Sequence, residues 1–142
     1  MNFFKMFRRN SEINDPDIGK LSYDNKSWVF PFKLNQVEIE VSIDAKNKEL
    51  DKFAKSYWLN IQPEIENFWK AAIQFTLQEL EKWETPFIAK SLDFKLNSIS
   101  IHREHSFENG HLTFWFDIKS DLNGTFYVSF INEKPSSLHR DS

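Results

Sequence analysis

Apolar and polar residues alternate along much of the first third of the chain, which is the pattern of β-strands with one buried face. "DPDIGKLSYDNKSWVFPFKL" predicts two strands around a turn, and Pro31 indicates an edge or a bulge because it has no N–H to donate. The clearest strand is "VEIEVSI", whose apolar residues point one way and whose polar residues point the other: Val37, Ile39, Val41 and Ile43 against Glu38, Glu40 and Ser42. One covered face and one wet face favour an antiparallel sheet.

The middle of the chain changes to helical spacing. A first helix is predicted from apolar residues recurring three and four positions apart: Leu50, Phe53, Ala54, Tyr57 and Trp58. Pro63 interrupts the pattern, and a second helix follows from about 63 to 83. Its apolar positions spread around much of the circumference, so we expect it to be buried between the sheet and the first helix.

Strand patterns return in the last third, in "LDFKLNSISIH", "GHLTFWFDI" and "TFYVSFI", with a hairpin turn predicted at Asn123–Gly124. The order βββ-αα-βββ predicts an α+β fold, with a curved antiparallel sheet of about six strands packed against two central helices. A single domain is expected over 17–131, after a flexible N-terminal segment, 1–16. The tail "NEKPSSLHRDS", 132–142, has no apolar pattern and is expected to be disordered.

Composition narrows the function classes. The 142 residues contain no cysteine, which excludes disulfides, a thiolate nucleophile and cysteine-based zinc sites, whereas aromatic residues reach 16%. No apolar run is long enough to insert in a membrane and no signal peptide is evident, so a cytoplasmic protein is expected. The first nine residues carry a charge of +3 against −3 for the whole chain, which leaves an acidic body. Such a body argues against nucleic-acid binding and permits a basic protein partner.

The stretch "HREHSFENGH", residues 102–111, is the one candidate for chemistry. His102 and Glu104 would share a strand face, while His105 would point the opposite way unless a turn intervenes. The spacing of these residues and His111 matches no known ligand motif, so a polar hairpin is the favoured interpretation. No metal or other cofactor is expected. A metal-dependent enzyme centred on this stretch is kept as an alternative, although glycine-rich phosphate loops and nucleophile motifs are absent.

Several segments together carry a family resemblance over residues 17–131. They are "IGKLSYDNKSW" (18–28), the "VEIEVSI" strand, the aromatic helical middle, "LNSISIHRE" and "GHLTFWFDIKSDLNGTFYVSFI". Their order resembles a family of small bacterial domains of unknown function found among immunity proteins of polymorphic-toxin and contact-dependent growth inhibition systems. The resemblance implies a non-enzymatic protein that binds and neutralises a cognate toxin domain. Many such toxins are basic nucleases, and Gly110–His111 would be structural.

The wet face of the sheet is the predicted contact surface. Its carboxylates would supply charge and its outward aromatic rings would serve as anchors. The predicted partner-binding residues are Glu38, Glu40, His111, Trp115, Asp117 and Tyr127. Two alternatives stay open: a helix or the N-terminal segment covers the aromatic rings, or the protein self-associates through an exposed strand edge.

Overall fold

A computed structural model describes residues 11–83, 90–103 and 110–141 of the chain. Strands make up 53% of the structure, and the described ranges contain nine of them in one sheet, with one helical run of 29 residues. The strands are β1 Glu12–Asp15, β2 Gly19–Tyr23, β3 Ser27–Leu34, β4 Val37–Lys46, β5 Glu49–Leu50, β6 Phe94–Ile101, β7 Leu112–Ile118, β8 Asp121–Ile131 and β9 Lys134–Asp141. The predicted α+β fold of six strands and two helices is therefore wrong.

The sheet is mixed rather than antiparallel. Its strand order is β1-β2-β3-β4-β6-β7-β8-β9, with β5 paired to the end of β4. Every pair is antiparallel except β4–β6, in which Val41 lies opposite Ile99 and Ile43 opposite Ile101. The helical run lies between β5 and β6 in the chain. A helical crossover of this kind returns the chain to the same end of the sheet, so that the next strand runs parallel to β4.

The helical run consists of α1 Lys52–Ile61, a 3-10 turn Gln62–Glu64 and α2 Ile65–Leu80. The Asp51 side chain caps α1 by accepting a hydrogen bond from the Ala54 N–H at 2.9 Å. Pro63 does not interrupt the helical run as predicted. It lies in the first turn of the 3-10 segment that joins α1 to α2.

The core lies between the helical run and one face of the sheet. In α1, Trp58 is 1% exposed and packs edge-on against Phe30 and Phe32 of β3, with ring centroids 5.6 and 5.1 Å away. In α2, the Trp69 ring contacts the aromatic side chains of β6 and β7: Phe94, Phe114 and Phe116. The high phenylalanine content is thus used largely in this core, as composition alone allowed.

Both ends of the predicted domain need correction. Residues 1–10 lie outside the described ranges, but Glu12–Asp15 forms β1 and pairs in full register with β2. The tail predicted to be disordered forms β9, paired with β8. β9 has no apolar alternation because it is the last strand of the sheet. Its Leu138 alone packs on the helix-covered core as a partly buried apolar side chain, and its other residues are polar or charged except Pro135.

The hairpin between β7 and β8 turns at Lys119–Ser120 instead of Asn123–Gly124. Register shifts between Phe116 and Ile118, so the Asn-Gly pair lies in an irregular part of β8. A Cβ added to Gly124 would lie 2.5 Å from Arg140 Nε, so the Arg140 side chain would have to move to admit one.

Candidate partner-binding face

The sheet face opposite the helical run, here called the helix-free face, is built from the side chains that alternate with the core residues. In the described ranges no helix packs on it. Strand register places its central residues in two rows that run across the sheet. The first row contains Ser42, Ser100, Thr113, Ser129 and Ser137, and the second contains Glu40, Ser98, Trp115, Tyr127 and His139.

The second row carries an aromatic ladder, formed by Trp115, Tyr127 and His139 on β7, β8 and β9. The Trp115 and Tyr127 rings stack with centroids 4.5 Å apart and an interplanar angle of 29°. Tyr127 and His139 stack at 4.7 Å and 21°. Trp115 and Tyr127 are half-buried, whereas His139 is exposed. These two outward aromatic residues were predicted from alternation, but His139 was not, because it lies in the segment expected to be disordered.

The first row, here called the hydroxyl row, orients the ladder. The Ser42 and Ser100 hydroxyls are 3.3 Å apart, and the Trp115 indole Nε1–H donates to Ser100 Oγ at 3.1 Å. The row ends at Ser137, whose Oγ is buried and lacks a hydrogen-bond partner within the described part of the chain. The Trp115 ring is therefore held in place by its neighbours.

Carboxylates flank the ladder. Glu38 and Glu40 are exposed on β4, and Asp117 is half-buried on β7. Glu38 lies opposite Lys33 and Asp117 opposite Lys95 in the strand registers. Glu40 lies between Pro31 and Ser98, so neither of its cross-strand neighbours is basic. Five of the six predicted residues are thus brought to one face of the sheet, with Glu40 the most clearly unbalanced charge.

The sixth residue, His111, lies on the other side of the sheet. It precedes β7, in a bend after Gly110, so strand alternation does not extend to it. Its ring packs against Phe53 and Tyr57 of α1, with centroids 4.9 and 5.7 Å away. Burial, followed by the charge of Glu133, raises the pKa of the Tyr57 hydroxyl. His111 therefore does not lie beside Trp115 and Asp117 as predicted.

The histidine stretch does not assemble as one site in the described residues. The His102 backbone N–H donates a hydrogen bond to the His111 carbonyl oxygen at 2.8 Å. The two imidazole rings nevertheless lie on opposite sides of the sheet. Glu104 and His105 lie outside the described ranges. Among the residues that are described, no three metal-ligating side chains converge.

His102 instead lies between Asp44 and Thr113. Its Nε2 is 3.2 Å from Thr113 Oγ1, and its Nδ1 is 3.7 Å from Asp44 Oδ2. The order of carboxylate, imidazole and hydroxyl is that of a hydrolytic triad. However, Thr113 is 1% exposed and its hydroxyl also lies 3.5 Å from that of Ser129. A buried hydroxyl cannot reach a substrate, so this arrangement links strands rather than presenting a nucleophile.

The described structure includes two cavities of similar size. One, about 620 Å³, lies at the start of β6 and the β7–β8 hairpin and borders the ladder through Asp117 and Thr125. The other, about 610 Å³, lies on the outer surface of α1 and is lined by Phe53, Ser56, Tyr57, Leu59 and Asn60. The first is on the predicted contact face and the second is not.

Comparison with protein-family models, with curated proteins and with solved structures finds no match to this chain. Within the described residues, no helix has both the length and the apolar character needed to cross a membrane.

Proposed function

We propose that this protein is a non-enzymatic immunity protein that acts in the bacterial cytoplasm, where its helix-free face binds a cognate toxin domain and holds it inactive. The observation that carries the proposal is the aromatic ladder of Trp115, Tyr127 and His139, with the exposed carboxylate of Glu40 in the same row beyond Ser98. Aromatic anchors surrounded by polar residues are typical of protein–protein contact surfaces.

Pre-ordering of the ladder favours tight binding. Each ring is already stacked on its neighbour, and the Trp115 indole is hydrogen-bonded to Ser100. Less side-chain entropy is therefore lost when a partner covers these rings than for free rotors. The neighbouring carboxylates would speed association with a basic toxin domain and disfavour acidic proteins.

Stacked rings on a sheet face also occur in RNA-binding domains, but two features argue against that function here. Bases stack on ring faces that are free, whereas the central Tyr127 ring has one face against Trp115 and the other against His139, which leaves only the outer faces of the two end rings. Glu40 and Asp117, which flank the ladder, would repel the phosphate backbone. A protein partner fits the face better than a nucleic acid.

Co-expression with the toxin domain encoded beside its gene tests the proposal. We expect restored growth and recovery of the two chains in near-equal amounts. Glu40→Lys should weaken capture about tenfold by charge repulsion, and Tyr127→Ala about thirtyfold by loss of an anchor.

Matched controls lie on the helical side. Glu66 is exposed on α2 and Tyr57 is half-buried on α1, so Glu66→Lys and Tyr57→Ala repeat the same chemistry away from the ladder. Both should leave capture within about twofold of the wild type. Failure to rescue growth and to capture the toxin domain would overturn the proposed function. If the variants on both sides of the sheet fold normally and lose toxin capture equally, the proposed contact surface is wrong.

A further inference from the structure

β9 forms one end of the sheet. It pairs with β8 alone, and its other edge has no strand beside it in the described ranges. Unpaired backbone N–H and C=O groups along such an edge can pair with another extended chain. Lys134 and Pro135 obstruct the first part of this edge, as charged residues and prolines commonly do. The edge that can accept a strand is therefore 136–141.

The aromatic ladder ends at this same edge. Its ring spacings of 4.5 and 4.7 Å are close to the separation of hydrogen-bonded strands, about 4.7–4.9 Å. A strand added next to β9 would place one side chain directly opposite His139, at stacking distance from the outer face of the exposed imidazole. A planar side chain at that position would extend the ladder from three rings to four.

We propose that the toxin partner docks by adding an extended, antiparallel strand to β9, with a planar side chain opposite His139. This inference rests on the proposed function for the existence of the partner. It adds the mode of docking: main-chain hydrogen bonds supply the attachment and alternate side chains supply specificity.

Residues on either side of His139 define what the added strand should carry. Leu138 is partly buried on the helix-covered side, so an apolar side chain suits the position opposite it. Asp141 is exposed on the helix-free side and favours a basic residue. In antiparallel order the partner strand reads basic, any residue, planar, apolar.

A second copy of this chain fits the edge less well. A two-fold axis at His139 would extend the ladder, but it would place Leu138 of one copy opposite Arg140 of the other. The Arg140 guanidinium already binds Asp121 through Nε at 2.6 Å and Nη2 at 2.9 Å. Any other two-fold position puts a residue other than histidine opposite His139. A strand of the toxin partner can place a planar side chain opposite His139 and an apolar side chain opposite Leu138 at the same time. A second copy of this chain cannot do both.

Hydrogen exchange of the full-length protein with two synthetic peptides tests the mode of docking. The probe is acetyl-Thr-Lys-Thr-Trp-Leu-Ser-Thr-amide, and the control has Ala in place of Trp. We expect the probe to slow amide exchange in β9. It should bind about threefold to tenfold more tightly than the control, the range for one aromatic stacking contact.

Substitution at His139 identifies the contact. The preference for the Trp peptide over the Ala peptide should fall to about one in His139→Ala and return in His139→Phe, which keeps a ring at the position. Unchanged exchange in β9 at millimolar peptide would overturn the inference. A preference that persists in His139→Ala, or a dimer that forms through β9 without peptide, would do the same.

The peptide experiment contains no toxin, so its failure and that of the proposed function are distinguishable. If the toxin domain is captured with equal affinity by wild type and His139→Ala, the proposed function stands and the edge-docking inference is wrong. If the probe binds β9 and the toxin domain is not captured, the edge is a strand acceptor and the proposed function is wrong.

Discussion

Two glycines illustrate how strongly single residues can be constrained in this fold. Gly110 has φ +129°, and a Cβ built on it would overlap the carbonyl oxygen of Phe130. Gly19 has φ +107°, but a Cβ there would meet nothing within 4 Å. Both glycines have a positive φ, which residues with a Cβ rarely adopt. At Gly110 a Cβ would in addition overlap a neighbouring backbone atom. Gly110 therefore has two physical reasons to be glycine, whereas Gly19 has one.

Alanine substitution should separate these two effects. We expect Gly110→Ala to lower the free energy of unfolding by about 2–5 kcal/mol, because steric overlap with the backbone adds to dihedral strain. Gly19→Ala should lower it by about 1–2 kcal/mol through strain alone. Chemical denaturation of both variants measures the difference. Equal losses would show that Phe130 does not crowd Gly110.

The ion pair between Asp121 and Arg140 joins β8 to β9. The hydrogen bond from Arg140 outweighs the opposing effect of burial and lowers the pKa of the Asp121 carboxyl below its ordinary 3.8. A carboxyl with a lowered folded-state pKa stabilises the fold above its unfolded pKa. That contribution is lost as pH falls through the folded-state pKa.

Asp121→Asn should therefore be less stable than wild type at pH 7, and the difference should shrink as pH falls from about 5 to about 2. Urea titrations across this range measure it. Asp141→Asn is the control, since Asp141 is exposed and has no ion pair in the described structure. A difference for Asp121→Asn that is independent of pH would contradict the role of the ion pair.

At the scale of elements, the turns explain which strands the sequence could predict. Three two-residue turns have positive φ at both positions, and each begins with asparagine: Asn35–Gln36, Asn47–Lys48 and Asn132–Glu133. Asparagine tolerates this conformation without a following glycine. The Asn-Gly pair at 123–124 predicts a turn where there is none, and Asn132, which begins the hairpin to β9, has no glycine after it.

Removal of residues 132–142 tests whether the tail belongs to the fold. β9 covers the edge of β8, and Leu138 pairs with Val128 on the core side. We expect the truncated chain to lose about 3 kcal/mol or more of unfolding free energy, because paired backbone and core surface both become exposed. The Leu138→Ala variant should lose less. A truncated chain as stable as wild type would show that the tail contributes nothing.

At the scale of the molecule, local pattern predicted elements better than their assembly. The period-two alternation identified β4 and the core face of β7 and β8. The helical spacing identified the helical region but wrongly divided it into two helices instead of one run of 29 residues. The parallel β4–β6 pair depends on how the helical run crosses the sheet, which no local pattern encodes. The strand count was too low because β1, β5 and β9 are short or polar strands that lack alternation.

The residues of the candidate site were predictable where they lie inside regular strands and unpredictable elsewhere. Trp115 and Tyr127 follow from alternation inside regular strands, as does the polar orientation of Glu40. His111 lies before its strand begins, and Gly110 turns the backbone so that its ring contacts α1. His139 completes the ladder only through long-range pairing of β9 with β8, which depends on a turn whose signal was missed.

Radical footprinting of side chains in the complex with the toxin domain would test most directly whether the helix-free face is the contact surface. Trp115 and Tyr127 report on that face, while Phe53 and Tyr57 report on the helical side with similar chemistry. The proposed surface predicts that oxidation of Trp115 and Tyr127 slows about fivefold or more on binding, because contact excludes water from anchors. Oxidation of Phe53 and Tyr57 should not change. Protection of Phe53 and Tyr57 with Trp115 and Tyr127 unprotected would contradict it.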